Sequence, residues 1–330
     1  MNGRLLKFTR FGLVLYALAL LSLPILWSAF GERHELLILL RYMPAAALFV
    51  PIVVLLLPER DPRVWLASTL LLCWMAFYFL GLELTFRAKE GSSLSVMTYN
   101  IKAGLEGPQE LGRYLAEQKV DIICLQEARP PVAKPDVDPV HAIVAALPDY
   151  QVARGGIRGE LVILSRYRSL SMAERDLAQM SYALEARVDV SGEEVRVLNV
   201  HLMTGDPLKR LGTGDRRGRF AWLRVTAETR REQFGALSAL LSEKVPTVLT
   251  GDFNTPPNSD GHTLLSLDAV DCFESVGAGL GYTYPVRMPV WRIDYIWITE
   301  PFSPSSCRLF NSTLSDHRPV VAVLSWDLAE

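Results

Sequence analysis

Four cysteines in 330 residues, none of them spaced as CxxC, exclude a small disulfide scaffold. Internal repeats are missing as well, and with 50% hydrophobic against 21% charged residues the chain is neither disordered nor collagen-like. No strong charge of either sign is present: 34 Lys and Arg face 36 Asp and Glu, which excludes a basic nucleic-acid coat but not a local basic groove. That balance is an average over two materials. Residues 1–90 hold nine Lys and Arg and six Asp and Glu, leaving 25 basic and 30 acidic residues for 91–330. A greasy third thus precedes a net-acidic remainder with the length of one large domain.

Charge is scarcest near the N-terminus. Phe11 to Phe30 is twenty residues without a charge, and Val64 to Leu82 is nineteen, each close to the thickness of a bilayer core when helical. Between them, residues 36–57 are apolar except for Arg41, which can snorkel, and Pro44 and Pro51 are expected to kink that helix. The expectation is a three-helix membrane anchor over residues 1–83, with spans at about 11–30, 36–57 and 64–82, then a linker over 84–93. A cleaved leader explains the first run alone but not the two that follow. With the N-terminus inside, Arg4, Lys7, Arg10, Arg60 and Arg63 lie inside and Arg33, Arg87 and Lys89 outside, so an integral, multi-pass protein with an extracytoplasmic domain is expected. Ten linker residues reach at most about 35 Å, which keeps that domain near the lipid.

Residues 94–330 read as one mixed α/β domain. Strands are expected at Leu94–Asn100, Asp121–Gln126, Leu161–Ser165, Leu184–Val190, Val195–Leu202, Thr247–Thr250, Ile293–Ile298 and Val320–Leu324. Helices are expected from Pro108 and from about Thr226 to Glu243. Many strands with few crossover helices fit two stacked sheets with helices outside.

Polar residues recur where these apolar strands end. Tyr99-Asn100, Gln126-Glu127, Asn199 with His201, Gly251-Asp252-Phe253-Asn254, Asp294, and Ser315-Asp316-His317 each close or open a strand. Singly, each has an ordinary structural explanation, such as an Asx-turn, a cap or a core histidine. Together they supply acids, amides and imidazoles, with no Lys or thiol in the same role. That is the inventory of a hard-metal phosphoester site: carboxylates for Mg²⁺, amides for phosphate oxygens, imidazoles for proton transfer.

The motifs MTYNI, LQE, NVHL, GDFN, RIDYI and SDHRP, in this order over about residues 94–326, resemble those of the endonuclease/exonuclease/phosphatase superfamily, which includes deoxyribonuclease I. The resemblance implies a four-layer α/β sandwich and a divalent-metal-dependent phosphoesterase using Mg²⁺ or Mn²⁺. It further implies Glu127 as the principal metal ligand, with Asn100 beside it and Asp316 assisting. Asp252 would orient the attacking water and Asn254 would donate to a phosphoryl oxygen. His317, held by Asp294, matches the family's proton-transfer residue, and His201 is a candidate acid for the leaving oxygen; which histidine is base and which is acid stays open.

The substrate is not decided by fold. Lys209 to Arg231 is rich in arginine, including Arg216, Arg217 and Arg219, with Trp222 among them. It is either a solvated loop and an Arg-rich helix start or a cationic, aromatic collar for lipid headgroups or a nucleic-acid backbone. Arg158 is a further phosphate-contact candidate. The membrane tether favours a phospholipid or another membrane-proximal phosphoester; a nuclease acting on DNA or RNA is the alternative, and a non-catalytic binder of phosphorylated ligands the second.

Overall fold

The computed structural model of the protein describes residues 3–84, 92–132, 135–179, 181–204 and 216–326. The N-terminal part is a helical module: α1 (Gly3–Phe30), α2 (Glu35–Tyr42), α3 (Val50–Leu56) and α4 (Pro62–Tyr78). The expected three membrane spans do not form. Among the described residues one helix is long and apolar enough to cross a membrane, in the segment Arg4–Arg33 with a mean hydropathy of 2.1. The second stretch is broken, α2 meeting the segment Ala45–Leu56 at 98°. Pro44 is the cause: its ring drives Met43 into extended backbone (φ −73°, ψ 152°). Pro51 does not kink anything, because it lies in the first turn of α3, where no amide hydrogen is needed. The third stretch begins on an Asp61 cap followed by Pro62, but α4 has only 17 residues, a length of about 25 Å.

Side-chain contacts hold the stretches together as one module. Near the start of α1, Arg10 holds Glu59 at 2.8 Å and Asp61 at 3.4 Å. Further along, the Tyr16 hydroxyl donates to Leu48 O at 2.8 Å, and near its end Trp27 donates to Leu37 O at 3.1 Å and meets the Phe79 ring at 5.8 Å. Leu15, Leu18, Ile25, Val53, Leu66 and Leu70 are left exposed on the outside of the module.

The remaining elements are β1 (Glu83–Leu84), β2 (Ser92–Asn100), α5 (Pro108–Gln118), β3 (Ile122–Gln126), α6 (Pro139–Ala145), β4 (Gln151–Gly155) and β5 (Leu161–Ser165). Next come β6 (Arg168–Asp176), β7 (Tyr182–Val190), β8 (Glu193–His201), α7 (Arg216–Leu241), β9 (Thr247–Asp252) and α8 (Asp260–Leu265). The chain closes with β10 (Val270–Asp271), α9 (Cys272–Val276), β11 (Ala278–Gly279), β12 (Asp294–Ile298), β13 (Ser303–Leu309) and β14 (Val320–Trp326). β1 pairs with β11, so the chain is stitched to the domain as soon as it leaves the module.

Two six-stranded sheets, ordered β13-β14-β2-β3-β5-β4 and β10-β12-β9-β8-β7-β6, pack face to face. Val96, Ile122, Cys124 and Ala322 of the first meet Ala186, Val197, Val248 and Ile296 of the second in one buried layer. Leu111 and Leu115 of α5, one helical turn apart, cover the first sheet with Ile143 of α6. Phe234, Leu237 and Leu241 of α7, with Leu265 of α8, cover the second. The four layers expected from the sequence are therefore present. Helix α7 begins at Arg216 rather than near Thr226, so the described part of the arginine-rich stretch is helical, not a loop.

Candidate active site

Two parallel pairs, β2 with β3 and β8 with β9, carry their strand ends to one rim of the sandwich. Asn100 and Gln126 are partners in the first pair, His201 and Asp252 in the second. Antiparallel β12 starts at the same rim, with Asp294 beside Asp252, and the turn before β14 adds Asp316 and His317. Glycine is required just below Asp252: Gly251 has φ +147°, and a Cβ there would lie 2.1 Å from the Val200 carbonyl oxygen. Under the rim a polar bolt joins the sheets. Gln126 Nε2 donates to Asn199 Oδ1 at 2.6 Å, and Asn199 Nδ2 donates to the carbonyls of Leu125 at 2.8 Å and Val162 at 3.0 Å. Fixing both sheets at this point fixes the distance between the two pairs of site residues.

Asn100 is fully buried, and its Nδ2 donates to Glu127 Oε1 at 3.2 Å and to Asp252 Oδ2 at 3.0 Å. Asp252 Oδ1 accepts from the Asn254 amide at 2.9 Å, while Asn254 Nδ2 donates to Leu202 O at 3.1 Å. His317 Nδ1 is bound to Asp294 Oδ2 at 2.9 Å, and its Nε2 faces Asp252 Oδ2 at 3.8 Å. His201 Nε2 stands 3.8 Å from Asp252 and 3.9 Å from Glu127, with Glu160 on its Nδ1 side at 3.7 Å. Asp316 pairs with Lys102 Nζ at 3.0 Å.

These contacts shape the charges. Burial opposes a charge on His317, but the carboxylates of Asp294 and Asp252 outweigh it and push its pKa up to about 9. Burial likewise opposes a charge on His201, yet Glu160, Asp252 and Glu127 together raise its pKa above the ordinary value. Asp252 is raised by burial and by the neighbouring Asp294, against the opposing pull of both histidines. His317 is thus a cation at neutral pH facing a carboxylate more basic than usual.

The side chains line a cavity of about 430 Å³ in which Glu127, Glu160, Asp252 and Asp316 bring acid to one place. Lys102 answers Asp316, and Arg129 lies 3.6 Å from Glu160. Glu127 and Asp252 have no Lys or Arg partner among the described residues, and hard carboxylate oxygens beside an amide suit Mg²⁺ or Mn²⁺. Asp252, Asp294 and His317 also bring ligand atoms within 4.8 Å of one another, though His317 and Asp294 already satisfy each other. A second such group, His262, Asp271 and Glu274, is committed internally: Asp271 caps α9, binds Arg292 at 2.5 Å and His262 at 3.1 Å.

All eight residues expected to hold metal or do chemistry converge here: Asn100 lies under the floor, Asp294 behind His317, and the other six line the cavity. Of the expected substrate-binding residues, the two whose side chains are described, Trp222 and Arg158, do not line the cavity. Trp222 packs with Ile38, Tyr42, Leu223 and Ala227 at the helical module. Arg158 is exposed, next to the lining residue Ile157. The side chains of Arg216, Arg217 and Arg219, and residues 205–215, lie outside the described residues. Further along α7, Arg224 pairs with Glu35, Arg231 donates to Glu32 O, and buried Arg230 lies 3.6 Å from Glu32, so these arginines face the module. Sequence reasoning missed Lys102, Glu160, Tyr284, Trp291 and Tyr42, all of which line the cavity. Only Glu160, an acid immediately before an apolar strand, followed the pattern already in use.

The sequence matches the Endonuclease/Exonuclease/phosphatase family over residues 97–317. No curated protein matches it. Among solved structures, a humanized D. rerio TDP2 is 18% identical with a TM-score of 0.56, covering 71% of this chain and 99% of its own. An endonuclease/exonuclease/phosphatase family protein from Bacteroides thetaiotaomicron is 19% identical with a TM-score of 0.54, covering 73% of this chain and 100% of its own. A mannosyl-6-phosphatase from the same organism is 18% identical with a TM-score of 0.53, covering 71% of this chain and 100% of its own. At these identities the likeness is one of fold, and it agrees with the two packed sheets. With the family's motifs gathered at one rim of that sandwich, the chain belongs to the endonuclease/exonuclease/phosphatase family.

Proposed function

We propose that the protein is a membrane-anchored, divalent-metal-dependent phosphoesterase that hydrolyses a phosphodiester or phosphomonoester by in-line attack of water, acting on a membrane-proximal substrate such as a phospholipid. The observation that carries the reading is the Asp294-bound His317 facing Asp252 beside the Asn100–Glu127 pair. Glu127 and Asn100 would hold Mg²⁺ or Mn²⁺, with Asp316 assisting, and the cation when bound supplies charge neutralisation to the phosphoryl group. Asp252, made more basic by burial, orients the water and accepts its proton. Cationic His317 donates from Nε2 to a phosphoryl oxygen as charge builds there, and Asn254 is a second donor. His201 is positioned to protonate the leaving oxygen.

The setting of the site supports the membrane part of the reading. The exposed apolar residues of α1, α3 and α4 suit contact with lipid. Contact between Arg10 and Glu59 brings the basic residues Arg4, Lys7, Arg10, Arg60 and Arg63 to one end of the module, away from the domain, which favours an extracytoplasmic site. The arginines of α7 that face the module are not available to a nucleic-acid backbone, which weakens the nuclease reading.

The test uses the full chain in lipid nanodiscs with Mg²⁺ or Mn²⁺, offered bis(p-nitrophenyl) phosphate, mixed phospholipid vesicles and plasmid DNA. Hydrolysis abolished by EDTA and by Glu127→Ala is expected; activity that survives both contradicts the proposal. Plasmid cleavage with the lipids untouched would transfer the assignment to a nuclease.

A further inference from the structure

Tyr42 is the last residue of α2, within the helical module, yet it lines the catalytic cavity. Its carbonyl accepts the indole N–H of Trp291 at 3.1 Å, and its hydroxyl donates to Glu32 at 3.3 Å. The guanidinium of Arg230, only 1% exposed, lies 4.5 Å from the centre of the Tyr42 ring. The module and the domain therefore both fix this one side chain. Trp291 is stacked with Tyr284 at 6.1 Å and 26°, and the Tyr284 ring lies 4.7 Å from the His317 imidazole. An aromatic wall thus runs from the module to the proton-transfer residue, and Ile293 and Pro256 extend it inside the cavity.

A phosphoester bound with its phosphorus among Glu127, Asp252 and His317 must turn its remaining group toward some wall of the cavity. The Tyr42 hydroxyl and the Trp291 N–H are already committed to Glu32 and to the Tyr42 carbonyl, so the wall offers mainly carbon, against which an apolar group gains more by burial than a hydroxyl-rich one. We propose that Tyr42 is a specificity-determining residue supplied by the helical module, and that the wall it forms with Trp291 and Tyr284 receives an apolar group carried by the phosphate. The proposal rests on the phosphoesterase reading for where the phosphate sits. It makes the module part of the substrate site as well as an anchor.

The test measures binding of three phosphonates, whose P–C bond resists hydrolysis, to the full chain in nanodiscs with Mg²⁺: methylphosphonate, butylphosphonate and phenylphosphonate. The wild type is expected to bind the butyl or phenyl compound about tenfold tighter than the methyl one. Preference for butyl marks an alkyl chain and preference for phenyl a ring, and either supports the proposal. In Tyr42→Ala and Trp291→Ala the preference shrinks to about twofold or less. Tyr42→Leu, which fills the space in the module, separates loss of the wall from unfolding, and Trp291→Phe keeps a ring while removing the N–H that holds Tyr42. Equal binding of all three ligands by the wild type, or an undiminished preference in folded Tyr42 and Trp291 variants, overturns it. Failure of the phosphoesterase reading is visible separately, as absent hydrolysis of bis(p-nitrophenyl) phosphate with the ligand preference intact.

Discussion

The two strand–helix–strand units that build the site do the same work at the rim and different work behind it. The unit β2–α5–β3 delivers Asn100 and Glu127, while β8–α7–β9 delivers His201 and Asp252. Helix α5 has 11 residues and one apolar face, set against its sheet. Helix α7 has 26, and it buries Phe234 and Leu237 against its sheet while Arg224, Arg230 and Arg231 reach the helical module on another side. The difference shows how a helical module can be docked onto the sandwich: lengthening one crossover helix gives it a second face without disturbing the strand ends that carry the candidate site.

Both units are needed at the rim, and the largest effects test this. Glu127→Ala is expected to lower metal-dependent turnover by about a thousandfold, read as kcat with bis(p-nitrophenyl) phosphate. From the other unit, His201→Ala is expected to cost about a hundredfold, the usual worth of one positioned proton donor. A wild-type rate in either variant breaks the symmetry between the two units.

The contrast behind the rim predicts a smaller, structural effect. Arg230 is buried against Glu32, so Arg230→Met removes one of the two guanidinium groups near that carboxylate, leaving Arg41 at 3.5 Å, and is expected to destabilise docking of the module by about 1–2 kcal/mol. Exposed Glu117 on α5 has no such neighbour, and Glu117→Ala is expected to stay within about 0.5 kcal/mol. Thermal unfolding of the full chain with the two variants side by side checks the difference, and equal shifts would remove the second face from the account.

The smallest effect concerns pH in metal-free protein. The folded pKa of His317, about 9, lies above its value in an unfolded chain, so its pairing with Asp294 stabilises fully below about pH 6.5 and is lost as pH rises through 9. Between these values Tm is expected to fall by about 2–4 °C more in the wild type than in Asp294→Asn. An identical pH profile in that variant would count against the pair.

Which features were legible in the sequence follows from burial. Interior strands such as β3 and β9 are buried on both faces and stand out as apolar runs, while interior β7 shows as an alternation, Leu-Glu-Ala-Arg-Val-Asp-Val. The edge strands β4, β6, β10 and β13 were not seen, because an edge needs no such run: β6 is exposed along most of its length, and β13 reads Ser-Pro-Ser-Ser. The candidate site was legible because Asn100, Glu127, Asp252 and His317 sit in or next to the interior strands that reveal them. That Arg224, Arg230 and Arg231 turn to the module could not be read from the sequence for the same reason that Tyr42 was invisible. Arg230 and Tyr42 meet across 188 positions of sequence, and neither local pattern says which surface of α7 the module covers.

The central claim is that Glu127 makes this rim a divalent-metal-dependent phosphoesterase. Its most direct test is the rate of bis(p-nitrophenyl) phosphate hydrolysis by the full chain in nanodiscs as Mn²⁺ is added back after EDTA. The account predicts a saturable rise in the wild type and almost none in Glu127→Ala; a rate indifferent to Mn²⁺, or the same rise in both proteins, would contradict it.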